Sequence, residues 1–182
     1  LGDYKTHRYY IERSLRGEGD VLWPGQVNWF AKSSGTTDER SKYIPVTTDG
    51  LCSNHMRGMK DVAVMSSRLF PQSKIFGGHT LTLGGSFALE RENFCIGDLS
   101  AILISQTPRL ATVFRRPSRK VALMSNFDDK MEALCRECAR MNITSIAGVP
   151  SWVLVMLRRL LEHSGKNNIL EVWPNLELFV HG

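Results

Sequence analysis

The sequence contains no hydrophobic run that approaches the roughly 18 residues of a membrane-spanning helix. It also contains no low-complexity tract and no internal repeat, which excludes a repeat architecture. Its first residues, LGDYKTHRYYIERSL, include neither an initiator methionine nor a basic stretch followed by an apolar core. We therefore expect no signal peptide, and we expect that the chain begins within a longer protein.

Several motifs of nucleotide-binding and hydrolytic proteins are missing. There is no G-x-x-x-x-G-K-[ST] loop and no G-x-G-x-x-G fingerprint, so Walker-type and dinucleotide-binding sites have little support. Neither S-x-x-K nor G-x-S-x-G occurs at Ser33, Ser34 or Ser86. A serine nucleophile paired with Lys32 or Lys42 therefore ranks below nucleotide binding.

The four cysteines include one C-x-x-C pair, Cys135 and Cys138, and no second pair. A zinc site would need further ligands, and redox chemistry would need the motif at the start of a helix. Here the pair lies inside the helical pattern DDKMEALCRECARM. We predict buried, reduced thiols, which fit a cytoplasmic protein.

The net charge is +5, with basic clusters at RRPSRK (115–120) and Arg158-Arg159. No nucleic-acid-binding motif accompanies these charges, so solvation of the surface is the favoured interpretation. An interaction domain for nucleic acid or protein stays as an alternative.

The pattern of elements predicts an α/β fold, and the length predicts one domain or one domain plus a fragment of another. Strands are predicted at 27–31, at 43–47 and within GGHTLTLGGS (77–86). A long helix is predicted from Thr47 or Thr48 to Leu69, and a second helix begins at Asn126 and ends at Met141. We expect the core-facing positions of the first helix to be Leu51, Met56, Met59, Ala63 and Leu69.

The last third predicts a βαβ unit at 143–181, with strands at 143–147 and 176–180 and a helix at 151–163. Ligands of open parallel sheets bind beyond the carboxyl ends of the strands. Three features follow strand ends: the SSGTT loop, Gly148-Val149-Pro150 and His181-Gly182. They converge on one site if their strands share one sheet and one direction.

The stretch FAKSSGTTDERSKYIPVT joins two predicted strands and contains two pairs of hydroxyl residues, Ser-Ser and Thr-Thr, on either side of one glycine. Converging hydroxyl and backbone N–H donors suit phosphate oxygens, and a lysine and an arginine follow closely. An ordinary polar loop has the same composition, so composition leaves both readings open.

WFAKSSGTTDERSKYIPVT, GGHTLTLGGS, AGVPSWVLVMLRRLLE and VWPNLELFVHG occur in this order. Together they resemble the auxin-responsive promoter family, the Gretchen Hagen type acyl acid-amido synthetases, and especially its bacterial members. This family belongs to the acyl-adenylate-forming superfamily, and the resemblance covers nearly the whole chain.

The resemblance implies a ligase that activates a small carboxylic acid with ATP and Mg²⁺ to an acyl-adenylate. An amine, typically of an amino acid, then displaces AMP to give an amide. Residues 1–182 would form an incomplete N-terminal adenylate-forming domain, with a mostly parallel or mixed sheet, flanking helices and a phosphate loop at 32–42. The C-terminal domain would be absent, and the fragment would be inactive alone. No nucleic-acid or membrane partner is implied, and a non-catalytic nucleotide- or phosphate-binding module is the alternative.

The resemblance also assigns site residues. Lys42 carries the catalytic role, and no metal ligand is assigned. Asp38 and Glu39 depart from the family, which often has glycine there; they must point away from the phosphates or help to hold Mg²⁺. The assigned groups are the phosphate-binding residues Ser33, Ser34, Gly35, Thr36, Thr37 and Lys42, the adenine-side residues His181 and Gly182, and the acyl-pocket residues Val149, Pro150 and Trp152.

Overall fold

The computed structural model describes residues 2–33, 41–91 and 94–181. The α-helices in these ranges are α1 (Tyr4–Leu15), α2 (Arg57–Leu69), α3 (Leu99–Ser105), α4 (Arg109–Thr112), α5 (Arg119–Ala122), α6 (Phe127–Cys138), α7 (Pro150–Ser164) and α8 (Ile169–Val172). The strands are β1 (Trp29–Lys32), β2 (Tyr43–Val46), β3 (His79–Leu83), β4 (Phe87–Arg91), β5 (Phe94–Gly97), β6 (Arg115–Arg116), β7 (Ile143–Gly148) and β8 (Leu178–Val180). A π-helical segment, Gly50–Met56, leads into α2, and a 3-10 turn, Ile75–Gly77, precedes β3.

The chain folds into two compact units, each with its own four-stranded sheet. Unit 1 comprises Leu1–Ala63 and Phe87–Leu103, and its sheet A has the order β2-β1-β5-β4. Sheet A is mixed, because β1 pairs antiparallel with β2 and parallel with β5. Unit 2 comprises Val64–Ser86 and Ile104–Gly182, and its sheet B, in the order β6-β3-β7-β8, is parallel throughout. The predicted α/β class with parallel and mixed sheets is confirmed.

Sheet B packs on α6 and α7 around a continuous buried cluster. The predicted βαβ unit is confirmed, since β7, α7 and β8 follow one another and the two strands are parallel neighbours. Proline at the first position of α7 supplies a favourable φ, and Gly165 ends the helix in the left-handed conformation at φ 66°. Asn126 caps α6 as expected, and its side chain accepts hydrogen bonds from the N–H groups of Asp128 and Asp129.

Sheet A has smaller buried clusters. One joins Val27 and Phe30 to Ile11 of α1, and the other surrounds Leu51 and Ile102. β4 and β5 pair antiparallel at one side of this sheet and had no counterpart among the predicted strands.

The helix expected to end at Leu69 is present, but its expected core face is wrong. Leu51 is buried and Met56 packs partly against the neighbouring cluster, whereas Met59 and Leu69 are 50% and 68% exposed. Within the described ranges, α2 has no buried residue at all. No helix of the described residues is long and apolar enough to cross a membrane.

Candidate functional site

The β1–β2 hairpin holds the base of the candidate phosphate loop. Its strands pair antiparallel, with Lys32 opposite Tyr43. One residue further, the Ser33 N–H donates to the Lys42 carbonyl at 2.9 Å, and the Lys42 N–H donates to Ser33 Oγ at 3.3 Å. The two described residues of the candidate phosphate set are therefore joined directly, and they close the loop between them.

The middle of this loop lies outside the described residues. This applies to the phosphate-site predictions at Ser34, Gly35, Thr36 and Thr37 and to the departing pair Asp38 and Glu39, which all stay predictions. The loop does connect two antiparallel strands rather than a strand and a helix. This connection confirms the reason for excluding a Walker-type loop.

Lys42 borders a cleft of about 960 Å³ between the hairpin and α1. Three other basic residues border the same cleft, namely Lys5, Arg8 and Lys32. The ammonium of Lys42 lies 5.8 Å from the centroid of the Tyr4 ring, within the range of a cation–π interaction. Asp3 and Glu12 border the cleft as well, so the four basic residues leave its lining with an excess of positive charge, which is suited to an anion.

A second cleft, of about 480 Å³, also lies in unit 1 and is bordered by Ser33 and Lys32. Trp23, Asn54 and His55 contribute to its wall. The residues at the base of the loop therefore border two recesses, one rich in basic side chains and one with a more mixed lining.

The turn between β7 and α7 carries the candidate acyl-pocket residues. Val149 is the N-cap of α7 and is 47% exposed, and Pro150 follows it at the surface. Trp152 is half-buried and packs edge-on against Phe127 of α6, with ring centroids 5.9 Å apart. The Trp152 ring thus contributes to the core of unit 2, while the turn residues before it are accessible.

Gly148 ends β7 where the backbone of β3 passes closely. A Cβ atom at this position would lie 2.8 Å from the carbonyl oxygen of Leu83 and 3.2 Å from a methyl group of Val153. A side chain at residue 148 would therefore push apart the two strands that lead into this turn.

His181 follows β8 and is exposed, and its ring centroid lies 5.3 Å from that of Phe179. Gly182 lies outside the described residues. Because β7 and β8 are parallel and Ala147 is opposite Val180, the turn after β7 and His181 follow the same edge of sheet B. The structure brings these two features together, as expected.

The third feature does not share that sheet. The SSGTT loop follows β1, which pairs with β2 and β5 in sheet A. The condition for three strand ends converging on one sheet edge is therefore not met. Strand order was inaccessible to the sequence patterns, because they indicate which segments are strands but not their partners.

Sequence reasoning missed Lys130, a lysine that is only 4% exposed. Its ammonium donates to the carbonyl oxygens of Gly84 and Gly85, both at 3.1 Å, and so holds the segment that follows β3. A signal was present in the sequence, since Lys130 stands four residues before Leu134 and eight before Cys138 on the buried stripe of α6.

The cysteine prediction is confirmed. Cys135 and Cys138 are free and buried at the C-terminal end of α6, and burial raises the pKa of Cys138 to about 12. Neutral thiols in an apolar core are poor nucleophiles and poor metal ligands. The described residues contain no group of three or more His, Cys, Asp and Glu residues that could hold a metal ion.

Residues 1–84 match the model of the GH3 family N-terminal domain. No curated protein matches the chain in sequence. Among solved structures, the chain is similar to "GH3.15 acyl acid amido synthetase", with 17% identity and a TM-score of 0.65 over 88% of this chain and 29% of that one. It is also similar to "AtGH3.15 acyl acid amido synthetase in complex with 2,4-DB", with 17% identity and a TM-score of 0.63 over 90% of this chain and 29% of that one. The chain thus spans less than a third of the length of these structures.

Proposed function

We propose that the chain belongs to the GH3 family, whose N-terminal domain model matches residues 1–84, and that it forms part of an ATP-dependent acyl acid amido synthetase. The observation that carries the proposal is the closed hairpin base, where Ser33 and Lys42 bond to each other beside a basic cleft. The family match includes this hairpin, and the similar folds are those of acyl acid amido synthetases.

The proposed reaction has two steps. A carboxylate oxygen of the acid forms a bond to the α-phosphorus of ATP, while the bond from that phosphorus to the bridging oxygen breaks and pyrophosphate leaves. The nitrogen of an amine, proposed to be that of an amino acid, then bonds to the acyl carbon, loses a proton, and releases AMP. The carboxylate is already ionised at neutral pH, so the first step needs no general base.

The role of this chain would be positioning and charge neutralisation. The Lys42 ammonium would bind the outer phosphate oxygens, and the Ser33 hydroxyl and the donors of the loop would orient them. Mg²⁺ binds in most nucleotide sites through substrate phosphates and one or two carboxylates, and when bound it would neutralise phosphate charge. In this chain Asp38 and Glu39 are the carboxylates nearest in sequence to the proposed phosphate site.

The remaining site assignments are part of the same proposal. His181 and Gly182 would lie beside the adenine, and Val149, Pro150 and Trp152 would border the acyl group. Their support is the shared edge after β7 and β8, since parallel sheets bind ligands beyond the carboxyl ends of their strands.

The test is ATP–pyrophosphate exchange by the full-length protein with a panel of carboxylic acids. We expect exchange with at least one acid and a loss of about a hundredfold or more in Lys42→Ala, the size of effect seen when one donor to a transition state is removed. Lys166→Ala is the matched control, because Lys166 is an exposed lysine of unit 2. Exchange that Lys42→Ala leaves unchanged would refute the site. ATP binding without acyl-adenylate formation from any acid would instead support a non-catalytic nucleotide-binding module.

A further inference from the structure

The backbone N–H and C=O groups of Tyr43, the residue after Lys42, lie at the edge of sheet A. β2 is the terminal strand in the order β2-β1-β5-β4. Ser33 and Lys42 are joined by hydrogen bonds across the hairpin, and successive residues of a strand direct their N–H and C=O groups to alternate sides. The N–H and C=O of Tyr43 therefore point away from β1, to the side where a sheet would continue.

The hydroxyl of Tyr4 occupies that side. It accepts a hydrogen bond from the Tyr43 N–H at 3.0 Å, and it lies 3.4 Å from the Tyr43 carbonyl oxygen, to which it can donate a longer and weaker bond. A single side chain, 39 residues away in the sequence, thus takes the place of a neighbouring strand at the end of the loop.

The ring of the same tyrosine contacts the residue before Tyr43. The Lys42 ammonium lies 5.8 Å from its centroid, where the negative face of an aromatic ring attracts a cation. Tyr4 therefore engages both the backbone that follows Lys42 and the charged group of Lys42 itself.

Tyr4 is held on a rigid support. It is the first residue of α1, directly after the N-cap Asp3, whose carboxylate accepts a hydrogen bond from the Thr6 N–H at 3.0 Å. α1 is fixed to sheet A through Ile11, which is buried in a cluster with Val27 and Phe30. The position of the ring is therefore set by packing rather than by the loop.

The acidic residues of the adjoining cleft are engaged locally. Asp3 binds Thr6, and Glu12 forms an ion pair with Arg8 at 2.8 Å. The carboxylates at this cleft thus have partners on α1, and Lys42 borders the same cleft from the hairpin side.

We propose that Tyr4 is a positioning residue that orients Lys42 for the outer phosphates of a nucleotide. The proposal rests on the proposed function for the identity of the ligand. A free lysine side chain loses rotamer freedom when it binds phosphate, so a ring that already restrains it lowers that cost. Tyr4 acts through Lys42 and needs no contact with the nucleotide.

The test is the dissociation constant for ATP in the absence of acid, measured on the full-length protein. We expect Tyr4→Leu to weaken ATP binding about three- to tenfold, since it removes a cation–π contact and a hydrogen bond, and Tyr4→Phe to weaken it about two- to threefold. Tyr9→Leu is the matched control, because Tyr9 is an exposed tyrosine of α1 whose ring also faces a cation, Arg13, at 5.7 Å. ATP binding unchanged in Tyr4→Leu would overturn the proposal.

A double-mutant cycle separates positioning from general stabilisation. In a Lys42→Ala background, Tyr4→Leu should have no further effect on the ATP dissociation constant. An equal loss in both backgrounds would mean that Tyr4 only supports the fold, and would refute the positioning role. Tyr4→Phe, which keeps the ring, provides the comparison if Tyr4→Leu unfolds α1.

A failure of the positioning role of Tyr4 can be told apart from a failure of the proposed ligase function. Hydrogen exchange of the Tyr43 amide should accelerate about tenfold in Tyr4→Phe, whether or not the protein is catalytic. If the effect of Tyr4→Leu on the ATP dissociation constant requires Lys42 but no acyl-adenylate forms, the ligase function is refuted and the positioning role of Tyr4 is retained. A wild-type protein that does not bind ATP would refute both.

Discussion

The two sheets of this protein differ in how they are buried and in what they carry. Sheet B is parallel throughout and packs on one cluster that contains twelve buried residues among those described. Sheet A is mixed, and its described buried residues form two clusters of five and three. The candidate phosphate loop extends from β1 and β2, at the edge of sheet A. The unit with the smaller cores therefore carries the loop, and the hydroxyl of Tyr4 contacts one end of its hairpin.

The comparison predicts unequal costs for the same core substitution. Leu134→Ala in the sheet B cluster should lower the free energy of unfolding by about 4 kcal/mol, and Leu51→Ala in the sheet A cluster by about 2 kcal/mol, both within the usual range of about 2–5 kcal/mol. Leu134 is fully buried inside the larger cluster, so truncation of its side chain leaves a cavity that the surrounding core cannot easily close. Urea unfolding monitored for each unit measures both values. Equal losses would contradict the inferred difference between the two cores.

A substitution at the end of β7 tests how tightly the two central strands of sheet B approach. Gly148→Ala should destabilise the protein by about 2 kcal/mol, because the added Cβ would lie 2.8 Å from the Leu83 carbonyl oxygen. Gly58→Ala on α2 is the control, since a Cβ there has no atom within 4 Å and alanine is the better helix former. Thermal unfolding should shift in opposite directions for the two variants. A neutral Gly148→Ala would show that β3 and β7 separate easily.

The buried lysine offers a second test of sheet B. Lys130→Met should cost about 1–3 kcal/mol of unfolding free energy, because it leaves the carbonyl oxygens of Gly84 and Gly85 without this donor. Lys166→Met removes a similar charge from an exposed position and should change the free energy by less than about 0.5 kcal/mol. Chemical unfolding of the two variants gives the comparison. Similar losses of unfolding free energy in the two variants would mean that the effect comes from removing a positive charge and not from losing the two hydrogen bonds.

The reactivity of the thiols should differ between the two units. Cys52 of unit 1 is exposed, whereas Cys138 of unit 2 is fully buried, with a pKa raised by burial to about 12. At pH 8 we expect a thiol reagent to label Cys52 on the order of a hundredfold faster than Cys138, because Cys138 reacts only after local opening. Site-resolved mass spectrometry measures both rates. Comparable rates would place Cys138 in a loosely packed region.

The same raised pKa predicts a pH dependence. The native state holds the Cys138 proton more tightly than the unfolded state, whose thiol has the ordinary pKa of 9.0. Its contribution to stability is therefore complete below pH 9 and is lost as the pH rises through about 12. A Cys138→Ala variant should lose stability less steeply over this interval than the wild type does.

Much of the local structure was accessible from the sequence. Asn126 at the start of α6, Pro150 at the start of α7 and Gly165 after its end are local signals, and the structure confirms them. The alternating segment at β3 and the strands around the candidate loop were also predicted within a few residues. The pair β4 and β5 was missed, because the segment ALERENFC shows no regular alternation of apolar and polar residues and no strong turn signal.

The exposed face of α2 shows where patterns mislead. Apolar residues at helical spacing predicted that Met59 and Leu69 contact the core, yet in the described part of the chain both side chains are exposed. Periodicity specifies which residues share a face of a helix, but not whether any other element covers that face.

By itself, the sequence determined an α/β chain, a βαβ unit near its end, core thiols in α6 and a polar loop between two strands. The tertiary structure alone decided that β1 belongs to sheet A while β7 and β8 belong to sheet B, that Lys130 is buried, and that Tyr4 reaches Tyr43. The physical reason is separation along the chain. Propensity, capping and turn chemistry act over a few residues, whereas strand partners and side-chain contacts are selected by burial and hydrogen bonding between segments tens of residues apart.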